Sequence, residues 1–125
     1  MRISERVLTI DCATPALSLA LFESASGSAS RDAVCIAASH QEIGRGHAEA
    51  LMPLIARVMK QAAIAFAALD RIAVTTGPGS FTGLRVGLAA ARGIALAAGK
   101  PIIGLTTLTA FAAPYVSESG AHPIM

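Results

Sequence analysis

The sequence predicts an α/β domain: a mixed five-stranded sheet with flanking helices, in the order β-β-β-α-β-α-β-α. Three observations carry this. Five apolar runs of strand length recur along the chain, the first three separated only by turns and polar stretches. Between the later runs, apolar residues recur every three or four positions, the period of a helix packed on one side. A glycine-rich turn, Gly77 to Gly83, joins a strand to a helix. Adjacent strands joined by turns pair antiparallel, whereas strands separated by helices cross over and pair parallel.

The first strand is Val7-Leu8-Thr9-Ile10-Asp11, followed by a turn at Thr14-Pro15. Leu17 to Phe22 forms a second strand, close enough for a hairpin. The low-complexity stretch 24–30 reads as a long tip before a third strand, Ala33 to Ser39. After the loop Gly44-Arg45-Gly46-His47, Leu51, Leu54, Ile55, Val58, Met59 and Ala62 mark a first helix running to about Ala65. Pro53 removes one helical hydrogen bond, so the helix is expected to kink or begin properly there. A fourth strand, Ile72 to Thr76, leads through the glycine turn into a second helix, Leu84 to Ala98, capped by Gly99. Pro101 to Leu105 is a fifth strand. Thr106 or Thr107 caps a short third helix through Phe111, and 117–125 reads as linker.

At 125 residues the chain suits one domain, but its surface chemistry is unusual. Hydrophobic residues make up 54% and charged residues 14%, against about 45–50% and about 25% in ordinary domains. Some apolar surface is therefore expected to meet something outside the chain. No run approaches ~18 uninterrupted apolar residues, and the N-terminus has no signal-peptide core, so a cytoplasmic domain is expected. A net charge of +2, one Tyr and no Trp give no ground for direct nucleic-acid binding. Cys12 and Cys35 follow no metal or redox spacing and read as buried free thiols.

The glycine turn has two readings. Free backbone N–H groups at a helix N-terminus favour an anion, which would make Gly77, Gly79, Ser80, Thr82 and Gly83 phosphate-facing, together with Asp11 and Thr14 from the first turn. Alternatively the glycines permit close packing in a tight connection, and Asp11 binds its own backbone. The spacing fits neither a Walker A loop nor a dinucleotide fingerprint.

The segment Gly77 to Gly87 (GPGSFTGLRVG) resembles the signature of the TsaB (YeaZ) family. Ile10-Asp11, His47 to Pro53 and Pro101 to Leu105 fall in matching order, so the resemblance covers about residues 6 to 113. It implies an actin/sugar-kinase/Hsp70-like (ribonuclease H-like) lobe, spanning 1–116. Residues 117–125 would lead toward a second lobe that this chain does not include. It also implies a non-catalytic scaffold in tRNA threonylcarbamoyladenosine (t6A) synthesis. Such a subunit pairs with a catalytic TsaD-type paralogue, works with a TsaE-type ATPase, meets tRNA only through the complex and forms a homodimer when alone. No cofactor is expected to bind tightly, and the full complex is where ATP or ADP can enter. Metal-binding TsaD-type relatives carry two histidines four residues apart; Leu51 stands four after His47, so no metal is expected and His47 reads as a solvated or capping residue. Where the family has Asp-Thr-Ser, this chain has Asp11-Cys12-Ala13-Thr14, which displaces a hydroxyl from the first turn. The rival reading is a nucleotide-binding enzyme lobe, sugar-kinase-like or M22 glycoprotease-like.

The second helix is apolar around most of its girth, with Arg85 and Arg92 on one stripe. Such a helix needs cover on two sides. A partner interface is therefore expected at Leu51, Leu54, Val58, Gly87, Ala90, Ala91 and Ile94.

Overall fold

The structure, a computed structural model, describes residues 4–25, 34–42 and 46–106. The strands are β1 (Ser4–Asp11), β2 (Ala16–Ala25), β3 (Val34–Glu42), β4 (Arg71–Gly77) and β5 (Ile102–Thr106). The helices are α1 (His47–Ala62) and α2 (Phe81–Ala98), with one 3-10 turn at Phe66–Ala68. The sheet order is β3-β2-β1-β4-β5. β1, β2 and β3 pair antiparallel, and β4 pairs parallel with both β1 and β5. This is the expected mixed sheet. The third helix and the 117–125 linker lie outside the described residues, as does most of the 24–30 tip.

Alternation sets which strand face the helices cover. Leu8, Ile10 and Cys12 of the β1 run and Leu17, Leu19 and Leu21 of β2 are buried, and the register places Leu8 opposite Leu21 and Ile10 opposite Leu19. Ile72 and Val74 of β4 extend the same face. Over it lie Leu51, Leu54, Ile55, Val58 and Met59 of α1 and Ala91, Ile94 and Ala95 of α2, in one continuous core.

Several boundaries differ from expectation. α1 begins six residues before Pro53 and runs through it. Pro53 sits on the exposed side, so the Glu49 carbonyl it leaves without a helical partner lies toward water, while the buried stripe continues unbroken. α1 ends at Ala62, not Ala65. Ala63 takes a left-handed conformation (φ 58°), and the N–H groups of Ala63 and Ile64 return to the carbonyls of Lys60 and Met59. α2 begins at Phe81 because Ser80 caps it, its Oγ accepting from the Gly83 N–H at 3.3 Å. Gly99 caps its other end at φ 68°. Cys12 is buried as expected, but Cys35 is exposed: a register shift between Leu21 and Phe22 sets it opposite Phe22, off the helix-covered face that Leu21 and Ala37 share. By length (18 residues) and mean hydropathy (1.3) alone α2 could cross a membrane, yet its small residues pack on the sheet and its two arginines are exposed.

Candidate functional site

Two features could carry function: the junction of the β1–β2 turn with the glycine turn, and the outward surface of the helices.

At the junction the two turns pack on each other. Asp11 ends β1, and its Oδ1 accepts from the Ala13 N–H at 3.0 Å and from the buried Thr75 hydroxyl at 2.9 Å. The Thr14 hydroxyl accepts from the Ala16 N–H at 3.2 Å, folding the turn onto itself. The His47 Nε2–H donates to the Thr14 carbonyl at 3.2 Å. His47 is therefore buried, neither solvated nor a cap: the first turn of α1 packs on the hairpin turn and supplies a partner for its carbonyl. The Ser80 N–H donates to the Ala13 carbonyl at 2.8 Å. An added Cβ at Gly79 would strike the Ala13 carbonyl, and one at Gly83 would strike the Cys12 carbonyl. At Gly87 an added Cβ would stand 3.2 Å from Cys12 Sγ. Gly77 holds φ 121° before a cis peptide bond to Pro78, a conformation that suits glycine. Thr82 is exposed on the first turn of α2.

Among the seven residues considered for phosphate, the Ser80 and Gly83 amides thus already have partners inside the chain. The glycines bring the second turn against the first, where the Ala13 carbonyl takes up the Ser80 N–H. Burial, and second the neighbouring Asp11 carboxylate, push the Cys12 thiol from 9.0 up to about 12, which leaves it a packing group and not a nucleophile. Among the described residues no three His, Cys, Asp or Glu side chains gather to hold a metal.

The helical surface is different. Between α1, the 3-10 turn and α2 lies an open groove of about 490 Å³. Met52, Phe66, Ala67, Ala89, Ala90, Gly93, Ile94, Ala97 and Ala98 line it, and none of these side chains carries a charge or a hydrogen-bonding group. The alanines and Gly93 keep its α2 wall low. Of the seven residues expected at a partner surface, Leu51, Leu54, Val58, Gly87 and Ala91 are buried inside the lobe, since they form the stripe that packs on the sheet. Only Ala90, half-buried, and Ile94, at 6% exposure, reach the groove. The surface open to another molecule is made instead by Met52 (47% exposed), Ala89, Gly93 and Ala97, with Leu96 (86%) and Phe81 (73%) on the outer side of α2. The Arg85 guanidinium lies 5.3 Å over the Phe81 ring.

Sequence reasoning missed Thr75, Met52 and Phe66. Thr75 is one of five residues in a strand-like run, with nothing local to mark it as the partner of Asp11. Phe66 follows the end of the helical period, so nothing placed it beside α2. Ser80 was readable as an N-cap three residues before Gly83.

A family model described as TsaD, tRNA N6-adenosine threonylcarbamoyltransferase, matches residues 36–125. The chain is 32% identical to the tRNA threonylcarbamoyladenosine biosynthesis protein TsaB of Escherichia coli, over 96% of this chain and 48% of that protein. YeaZ from Pseudomonas aeruginosa superposes with a TM-score of 0.74 at 31% identity, covering 94% of this chain and 51% of that one. The chain belongs to the TsaD family, in its TsaB (YeaZ) branch. A tRNA N6-adenosine threonylcarbamoyltransferase of Erythrobacter litoralis is 52% identical over a shorter stretch, 51% of this chain and 19% of that protein. Thermus thermophilus RuvC, at 17% identity and a TM-score of 0.59, shares the fold alone, the actin/ribonuclease H-like architecture. The chain spans about half the length of the E. coli TsaB, and less of the transferase.

Proposed function

We propose that this chain is the first lobe of a non-catalytic scaffold subunit in t6A synthesis, docking a TsaD-type catalytic paralogue through the groove between α1 and α2. In this reading residues 1–116 form the lobe and 117–125 lead toward a second one. The subunit is cytoplasmic, works with a TsaE-type ATPase, and meets tRNA only through the complex. Without its partner it forms a homodimer through the same face. Any ATP or ADP belongs to the full complex.

The observation that carries the reading is the groove: an open concavity lined by apolar side chains on the outward side of two helices, in a chain with few charges. The packing of the glycine turn on the hairpin turn supports it by giving the glycines a structural role, with the Ser80 and Gly83 amides already bonded within the chain. A stable interface removes roughly 800 Å² from each partner, an area that two adjacent helices can supply.

The test is light scattering of the chain mixed with the TsaD-type paralogue. The expected result is a 1:1 complex. Gly93→Tyr, which fills the groove from a position with no atom within 4 Å of its Cβ, should abolish the complex and leave the fold intact. Masses that remain those of the separate chains would refute the pairing.

A further inference from the structure

The two helices and the sheet carry opposite charge. α1 and α2 hold four basic side chains, Arg57, Lys60, Arg85 and Arg92, and one acid, Glu49, all exposed. The strands hold Glu5, Asp11, Glu23 and Glu42 against Arg6 and Arg71. Both of these strand arginines are paired with strand acids, Arg6 Nε with Glu23 at 2.7 Å and Arg71 Nε with Glu5 at 3.2 Å. Among the described residues the four helix cations have no ion-pair partner. The outward surface of the two helices is therefore net basic, and its four cations stand outside the apolar lining of the groove.

We infer that this face selects an acidic protein surface, one with an apolar ridge flanked by carboxylates, over a second copy of itself. The inference rests on the docking role proposed for the groove and adds what decides its partner. A two-fold contact places the same patch on both sides, so a homodimer through the helices brings like charges together. An acidic partner gains attraction from the same residues, and such complementarity sets partner choice and on-rate. The groove lining favours protein over RNA, because its side chains are all apolar and offer a base edge or a ribose little to bond.

Salt separates the two contacts by sign. Raising salt from about 50 mM to about 500 mM shortens the screening length to a few ångströms. Sedimentation equilibrium of the chain alone should show self-association that strengthens over that range. Binding of the TsaD-type paralogue, followed by titration calorimetry, should weaken about tenfold. Arg85→Glu with Arg92→Glu, both at exposed positions, should weaken paralogue binding about tenfold at low salt and little at high salt, whereas Arg92→Lys should bind as the parent chain does.

Self-association that weakens with salt, or paralogue binding indifferent to salt and to the double reversal, would overturn the inference. So would tighter binding of unmodified tRNA than of the paralogue at low salt. If the paralogue fails to bind at any salt, the proposed function falls, and the salt response of self-association still decides the charge argument. A chain that stays monomeric at both salts and binds neither probe refutes both.

Discussion

Three glycines of α2 give a test of why the glycine turn exists. Gly83, Gly87 and Gly93 lie on one helix, yet an added Cβ meets a backbone carbonyl at the first, a sulfur atom at 3.2 Å at the second, and nothing within 4 Å at the third. Alanine in a helix interior is favoured over glycine by about 1 kcal/mol. At Gly93 that gain is unopposed, so Gly93→Ala should stabilise by about 0.5–1 kcal/mol. At Gly87 the Cys12 side chain must give by a few tenths of an ångström, and gain and cost should roughly cancel. At Gly83 the obstacle is the Cys12 carbonyl, in a turn pinned by Ser80 N–H to Ala13 O and by Thr75 to Asp11. Overpacking of a well-packed site costs about 1–3 kcal/mol and more where backbone must move. A net loss of about 2–4 kcal/mol is expected for Gly83→Ala. Urea denaturation of the three variants measures this, and each kcal/mol should move the thermal midpoint by roughly 3–6 °C. Wild-type stability for Gly83→Ala would refute the close approach and return the glycine turn to a ligand-binding role.

Ala63→Gly should stabilise by about 0.5–1 kcal/mol by urea denaturation, because Ala63 holds a left-handed conformation at the end of α1. Thr75→Val should cost about 1–2 kcal/mol in the same assay, and Thr75→Ser much less, since only the hydroxyl serves Asp11. Alkylation at pH 8 should label Cys35 alone in the folded chain and both cysteines once it is unfolded. The Cys12 thiol, raised from 9.0 to about 12, ionises later in the folded chain than in the unfolded one. Stability from this group should therefore be complete below pH 9 and decline between 9 and about 12, and Cys12→Ala should flatten that decline.

Much of this was legible because it rests on local signals. Alternation in Val7 to Asp11 and Leu17 to Phe22 fixed both the strands and the face their leucines bury. The three-and-four spacing fixed α1, even though Pro53 suggested a later start: the apolar stripe outweighs one missing hydrogen bond on the solvent side. The docking surface was less legible. Periodicity identifies the most apolar stripe of a helix, and in α1 and α2 that stripe faces the sheet, so Leu51, Leu54, Val58 and Ala91 are core. The groove is made by residues that are individually bland, Ala89, Gly93 and Ala97, and by Phe66, which only the tertiary fold brings beside them. His47 and Thr75 likewise gain their roles from contacts 33 and 64 residues away in sequence.

The central claim is that this lobe docks a catalytic paralogue through the groove between its helices. Hydrogen–deuterium exchange of the chain with and without the TsaD-type paralogue tests it most directly. The account predicts added protection in residues 49–62, 66–68 and 81–98, with the strands of the sheet unchanged. Protection confined to the β1–β2 turn and the glycine turn, or absent at saturating paralogue, would contradict it.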